Sequence, residues 1–161
     1  MKDVCLSLSY YGVRKIVIVN GHGGNLVALS VMARELRQQS FRFCFSMGPA
    51  AGRLLPNLFA PEERHHAGAE ETSVNLALHG HLVNMSKAID EKPHTHVVQT
   101  EGLTLPIDTI DETNNGVFGK QKTASATKGK KTLEVVVNEL VKHVHKLKRS
   151  RIEDLGQKSK V

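Results

Sequence analysis

An α/β fold with a mostly parallel sheet is the class this sequence predicts, on three observations. Lys15 to Val19 is a short apolar run rich in β-branched residues, the composition of a strand buried on both faces. Leu26 to Gln39 follows, with Leu29, Met32, Ala33 and Leu36 at helical spacing. Phe41 to Met47 is a second apolar run, so strand, helix and strand make a β-α-β unit with a right-handed crossover.

The remaining elements follow in order. Met1 to Tyr11 reads as a short helix, with Val4, Leu8 and Tyr11 at helical spacing and Gly12 as its stop. Asn20 to Asn25, Asn-Gly-His-Gly-Gly-Asn, is the loop between the first strand and its helix. Gly48 to Pro61 is a loop with some helical content, punctuated by Pro49, Pro56 and Pro61. Ala67 to His79 is a helix whose first turn is rich in Glu, which complements the positive end of its dipole. Leu82 to Thr113 is irregular, with a strand near Val97 to Thr100, and Asn114 to Ala126 is an ordered Gly- and Thr-rich loop. Thr127 or Lys128 opens a long helix that runs to Arg149, striped by Val135, Leu140, Val144 and Leu147. With no internal repeat and no clean linker, residues 1–149 form one domain and residues 150–161 a basic, disordered tail.

Composition narrows the functional classes. A chain of 161 residues, 40% of them apolar, can bury one core. No apolar run approaches the roughly 18 residues a membrane helix needs, and the N-terminus has no continuous apolar stretch of a signal peptide. A cytoplasmic location is expected, with no membrane partner. Cys5 and Cys44 lack C-x-x-C spacing and read as small buried hydrophobes rather than a disulfide pair. The net charge of +6 is concentrated from Lys120 onward. That stretch has no aromatic stacking positions and no nucleic-acid motif, so it reads as a solvated helix face and frayed tail, and nucleic acid is not the expected partner.

Two segments carry candidate chemistry. His22 stands between glycines at the carboxyl end of a strand, where open α/β sheets place their ligands. In His66-Ala-Gly-Ala-Glu-Glu-Thr-Ser73 a histidine precedes a helix and Glu71 lies inside its first turns. Imidazole and carboxylate donors suit Zn, Fe or Mn; a metal-activated water would then be the nucleophile, and His66 could move its proton to a leaving amine. Other readings stay open at this point. The glycine loop could be a plain turn with Asn25 as helix cap, or an anion-binding loop, although it lacks both standard phosphate-loop spacings. His66 could simply start a helix, and Glu70 and Glu71 could be surface charges compensating a dipole. His94 and His96 form an H-x-H beside Pro93 that reads as solvated loop. His79 and His81 read as helix-end caps, His65 as exposed, and His143 and His145 as facing different directions on one helix.

Taken together, Asn20 to Asn25 and His66 to Ser73 resemble the creatininase (creatinine amidohydrolase) family. The approach Tyr11-Gly-Val-Arg-Lys-Ile-Val-Ile-Val and the later Asn115-Gly-Val-Phe-Gly119, followed by Ala124 to Gly129 and a long helix, agree with it. The resemblance covers residues 1 to 149. It implies a three-layer α/β/α fold, hydrolysis of a C–N amide bond with a divalent metal (Zn first, Fe or Mn otherwise), and homo-oligomers, often hexamers. Carried over, His22 resembles a metal ligand, Glu71 the helical glutamate of the metal centre and His66 the proton shuttle, while Glu70 matches no functional position.

Departures from the family pattern set further expectations. The family supplies its other ligands from a Glu-x-His segment and an Asp ahead of the Asn-Gly-His motif. Here no His or Glu precedes His22, and Asp3 is the lone carboxylate before it, so the fold is expected to be N-terminally truncated. The family's Gly-Asp-Pro is Gly119-Lys120-Gln121. Gly23-Gly24 and the lack of Trp point away from creatinine and towards a small formamide or cyclic amide, as in formamido-pyrimidine deformylase-like branches. The alternative is a non-catalytic remnant or fragment of such an enzyme. Without a preceding strand, the Lys15 to Val19 strand would present an unpaired apolar edge, so poor solubility or pairing along that edge is expected.

Overall fold

The computed structural model describes residues 1–39, 44–47, 54–94 and 107–155, the backbone alone for 44–47. The chain divides into two compact units, one of residues 1–50 with 136–161 and one of residues 51–135.

In the first unit, helix α1 (Lys2–Tyr10) ends as its composition requires. Gly12 takes φ +88, and the amides of Gly12 and Val13 return to the carbonyls of Ser9 and Leu8, a Schellman close that glycine permits. Strand β1 (Val17–Asn20), helix α2 (Asn25–Gln38) and strand β2 (Cys44–Met47) follow, and β1 pairs parallel to β2 with Val17 opposite Cys44 and Asn20 opposite Met47. The expected β-α-β unit is therefore present. Cys5, Ile18 and Leu36 are its buried centre, with Leu6, Ile16, Leu29 and Met32 packed around them. Lys15 closes the unit from the other side by donating to the carbonyls of Lys148 and Ser150 at the end of the long helix, where a cation meets the negative end of the dipole.

Two expectations need correction here. The first strand is not buried on both faces: Ile18 is buried, but Val19 is 60% exposed. Side chains alternate along a strand, and among the described residues only the Ile18 face packs on α1 and α2. On α1, Cys5 and Ser9 are buried whereas Val4, Leu8 and Tyr11 are exposed. Both sets have helical spacing. Cys5 joins the α2 core, and Ser9 is held by Arg14, which donates to its carbonyl and hydroxyl at 2.8 and 2.9 Å.

The second unit is built around helix α3 (Ala69–His79) and the first part of helix α5 (Ala126–Arg149). Its centre combines Phe59, Ala69 and Val117 with the small polar residues Thr72, Ser73, Thr113 and Thr132. Small residues let the two helices approach closely: the Ser73 hydroxyl accepts from the Ser125 amide at 3.0 Å, and Gly129 lies against the Ser73 carbonyl. The stretch expected to be irregular contains helix α4 (Thr109–Glu112), whose Asp111 carboxylate accepts from the Asp108 amide at 3.0 Å. The Gly- and Thr-rich loop contains strand β4 (Gly119–Lys120), antiparallel to β3 (Asp90–Glu91). The strand expected near Val97 to Thr100 lies outside the described residues, as do His96 and residues 156–161. Ile152–Leu155 forms a 3-10 turn, in which Arg151 donates twice to Asp154, at 3.0 and 3.1 Å.

Candidate active site

Asn20 builds the His22 loop. It is buried at the end of β1; its side-chain nitrogen donates to the His22 carbonyl at 2.7 Å, and its oxygen accepts from the His22 amide and the Asn25 side chain, each at 3.2 Å. One amide side chain thus folds the loop as an Asx turn. Asn25 is not the helix cap: it is the first residue of α2, and its amide group points back to Asn20. His22 is exposed, and its ring lies over Gly24, where a Cβ would stand 2.9 Å from Nε2. Gly24 therefore makes room for the imidazole, whereas a Cβ on Gly23 would meet nothing within 4 Å. An open groove runs beside this loop, lined by Ile18, Val19, Asn20, Gly21, Leu29 and Met32 among others.

The second unit holds His66 and Glu71 at one corner. Ala67 lies between them with φ +51, a left-handed conformation that a Cβ makes unfavourable. Its amide donates to Glu71 Oε2 at 2.6 Å, so Glu71 closes the turn that leads into α3. Among the described residues Glu71 Oε1 accepts no hydrogen bond. Both His66 and Glu71 are exposed to solvent. The corner is held from across the unit: the Phe118 amide donates to the His66 carbonyl at 2.8 Å, and Gln121 Nε2 donates to the Ala67 carbonyl at 3.1 Å. The Phe118 ring stacks on His65 at a centroid distance of 4.5 Å. This approach needs Gly119, because a Cβ there would meet the Glu62 carbonyl oxygen at 2.3 Å.

Glu70 differs from the surface charge its position suggests. It is only 5% exposed; burial pushes its pKa up, the Arg64 charge opposes that, and the neighbouring Glu71 adds to it. Sequence reasoning also missed Glu63. Its carboxylate accepts from Thr123, from the Ala60 amide at 2.6 Å and from Lys128 at 3.0 Å, and Lys128 sits 5.1 Å above the Phe59 ring. Burial raises the pKa of Glu63, but these bonds and the Lys128 charge outweigh it and hold the group below the ordinary carboxylate value.

His22 belongs to the first unit, and His66 and Glu71 to the second. Among the described residues no group of three or more His, Cys, Asp or Glu forms that could hold a metal ion. His22 in the first unit and Glu71 in the second each carry a donor chemistry that suits a divalent cation. Two other described histidines face carboxylates of their own: His94 faces Glu91 at 3.7 Å, and His143 lies 3.5 Å from Glu139. No helix among the described residues is long and apolar enough to cross a membrane.

A family model described as Creatininase: Creatinine amidohydrolase matches residues 1–144. A creatinine amidohydrolase of Pseudomonas putida is 31% identical over 151 residues, which is 85% of this chain and 57% of that protein. Among solved structures, a creatinine amidohydrolase homologue from Bacteroides fragilis superposes with a TM-score of 0.79 at 26% identity, over 93% of this chain and 60% of that one. A manganese form of creatininase and a Zn–Zn form each give a TM-score of 0.66 at 28% identity over 90% of this chain, and over 61% and 60% of theirs. The chain thus spans about three fifths of the length of the relatives it matches.

Proposed function

The chain belongs to the creatininase family and has its α/β fold, and we propose from that premise that it serves a metal-dependent amidohydrolase acting on a small amide. What supports this reading is the His66–Ala67–Glu71 corner, where the amide of the residue after His66 donates to the Glu71 carboxylate within the matched region. In amide hydrolysis water adds to the carbonyl carbon, the C–N bond breaks, and the leaving nitrogen needs a proton. His66, exposed at the corner, carries an imidazole, the side chain that most often serves as general acid or base. Glu71 and His22 are the donors this chain offers to a divalent cation, Zn in the first instance with Mn or Fe as alternatives, and the remaining donors come from outside the described set. The Gly23-Gly24 loop and the lack of Trp favour a formamide or a small cyclic amide over creatinine. A homo-oligomer in the cytoplasm belongs to the same reading.

The test is metal content and turnover of the full chain, purified and then incubated with Zn²⁺ or Mn²⁺. Stoichiometric tightly held metal and release of formate or amine from small formamides and cyclic amides are expected. Less than one equivalent of metal, with no hydrolysis, would instead support a non-catalytic remnant or fragment.

A further inference from the structure

We propose that Gln121 is a positioning residue that sets the placement of His66 and Glu71. Ala67 is the hinge of the corner, because it lies between the two residues and sits in a conformation it would not adopt unaided. Its two backbone polar groups are both committed: the N–H to Glu71 Oε2 and the C=O to Gln121 Nε2. Releasing the carbonyl lets the Ala67 peptide rotate towards negative φ. That rotation turns the His66 backbone and withdraws the amide from Glu71 in a single movement.

The chemistry of the clamp is specific to glutamine. Gln121 Nε2 donates to the Ala67 carbonyl while its Oε1 accepts from the Ile89 amide at 3.1 Å. A carbonyl on one side and an N–H on the other fix the orientation of the amide and demand one donor and one acceptor on the same side chain. Ionised glutamate retains only the acceptor, leucine retains neither, and asparagine is one methylene short. The Gln121 backbone is itself anchored, since Asp90 Oδ1 accepts from the amides of Gln121 and Lys122 at 2.8 and 2.9 Å. Three residues earlier, the Phe118 amide binds the His66 carbonyl. The segment from Phe118 to Gln121 therefore grips both peptides that flank the corner.

The catalytic meaning of the clamp rests on the function proposed above; the clamp itself does not. The experiment compares the full chain with Gln121→Glu and Gln121→Leu by amide NMR, thermal melting, Zn²⁺ titration and formamide turnover. In Gln121→Glu, the Ala67 amide and His66 ring signals should move and Ala67 amide exchange should quicken, roughly five- to tenfold for one net hydrogen bond. The Ile89 amide should stay in place. Zn²⁺ affinity or kcat should fall about tenfold with KM little changed, as expected when a catalytic group is misplaced rather than lost. Gln121→Leu should release Ile89 as well. Unmoved Ala67 and His66 signals in Gln121→Glu would overturn the proposal, as would equal movement throughout the unit with a matching loss of melting temperature. If the unaltered chain neither binds Zn²⁺ nor turns over formamides, the proposed function fails while the NMR comparison still decides the role of Gln121.

Discussion

Substituting Gly129 by alanine tests the packing of the second unit in a case where local and tertiary effects have opposite signs. Gly129 lies inside α5, and in an exposed helix the change to alanine gains about 1 kcal/mol. Here the added Cβ would stand 1.8 Å from the Ser73 carbonyl oxygen, 2.4 Å from its carbon and 2.9 Å from Ala77 Cβ. Two of these contacts are backbone atoms of α3, which cannot swing aside. Ordinary contact begins at about 3.4 Å, so the helices must part by about 1.6 Å. Overpacking of this kind costs about 1–3 kcal/mol. The separation also breaks the 3.0 Å bond from the Ser125 amide to the Ser73 hydroxyl, worth about 1 kcal/mol. After the propensity gain, the net destabilisation is about 1–3 kcal/mol. For a cooperative unit of this size that lowers the melting temperature by about 5–20 °C. Thermal and urea unfolding followed by circular dichroism would measure it. Gly80→Ala is the control, because a Cβ there meets nothing within 4 Å and its backbone is already right-handed helical. A Gly129→Ala chain as stable as the unaltered one would refute the close approach of α3 and α5.

Acid should weaken the second unit through Glu63. Its folded pKa lies below the ordinary 4.5, so its contribution to stability is complete above that value and is lost as pH falls through the lower folded pKa. Gln at this position should cost about 1–3 kcal/mol at neutral pH and flatten the dependence of the urea midpoint on pH below about 4.5. At the other candidate locus, Gly24→Ala should leave the melting temperature nearly unchanged, since Gly24 has φ −58 and alanine accepts that backbone. Its Cβ would displace the His22 ring, so Zn²⁺ affinity measured by calorimetry should fall roughly tenfold, about 1.4 kcal/mol. An unchanged affinity would remove His22 from the metal reading.

Local signals carried the elements well. The apolar run from Lys15 to Val19, the 3.6-residue spacing from Leu29 to Leu36 and the second apolar run from Phe41 to Met47 lie close to β1, α2 and β2. Gly12 stops α1, and Ala126–Arg149 matches the expected long helix to within two residues. What the sequence concealed was which of two helical faces is buried, since Cys5 and Ser9 have the same spacing as Val4 and Leu8. Glu70 read as a surface charge because helix N-termini favour acids whether they are solvated or buried, and nothing in the local pattern singled out Glu63. For the candidate site, His22, His66 and Glu71 stand out by residue type and spacing. Gln121 does not: it lies 54 residues from the carbonyl it holds, and nothing in local periodicity marks a partner at that distance.

The left-handed Ala67 has a consequence for the order in which the protein forms. A residue that resists its own conformation cannot hold it early, and the groups that impose it arrive late: Phe118 and Gln121 lie more than 50 residues further along the chain. On a ribosome adding residues from the N-terminus, His66 and Glu71 emerge well before the segment that fixes them. The corner is thus a late product of folding, complete only once β4 has paired with β3 and brought the glutamine into reach. Until then the chain carries both residues without the geometry that relates them.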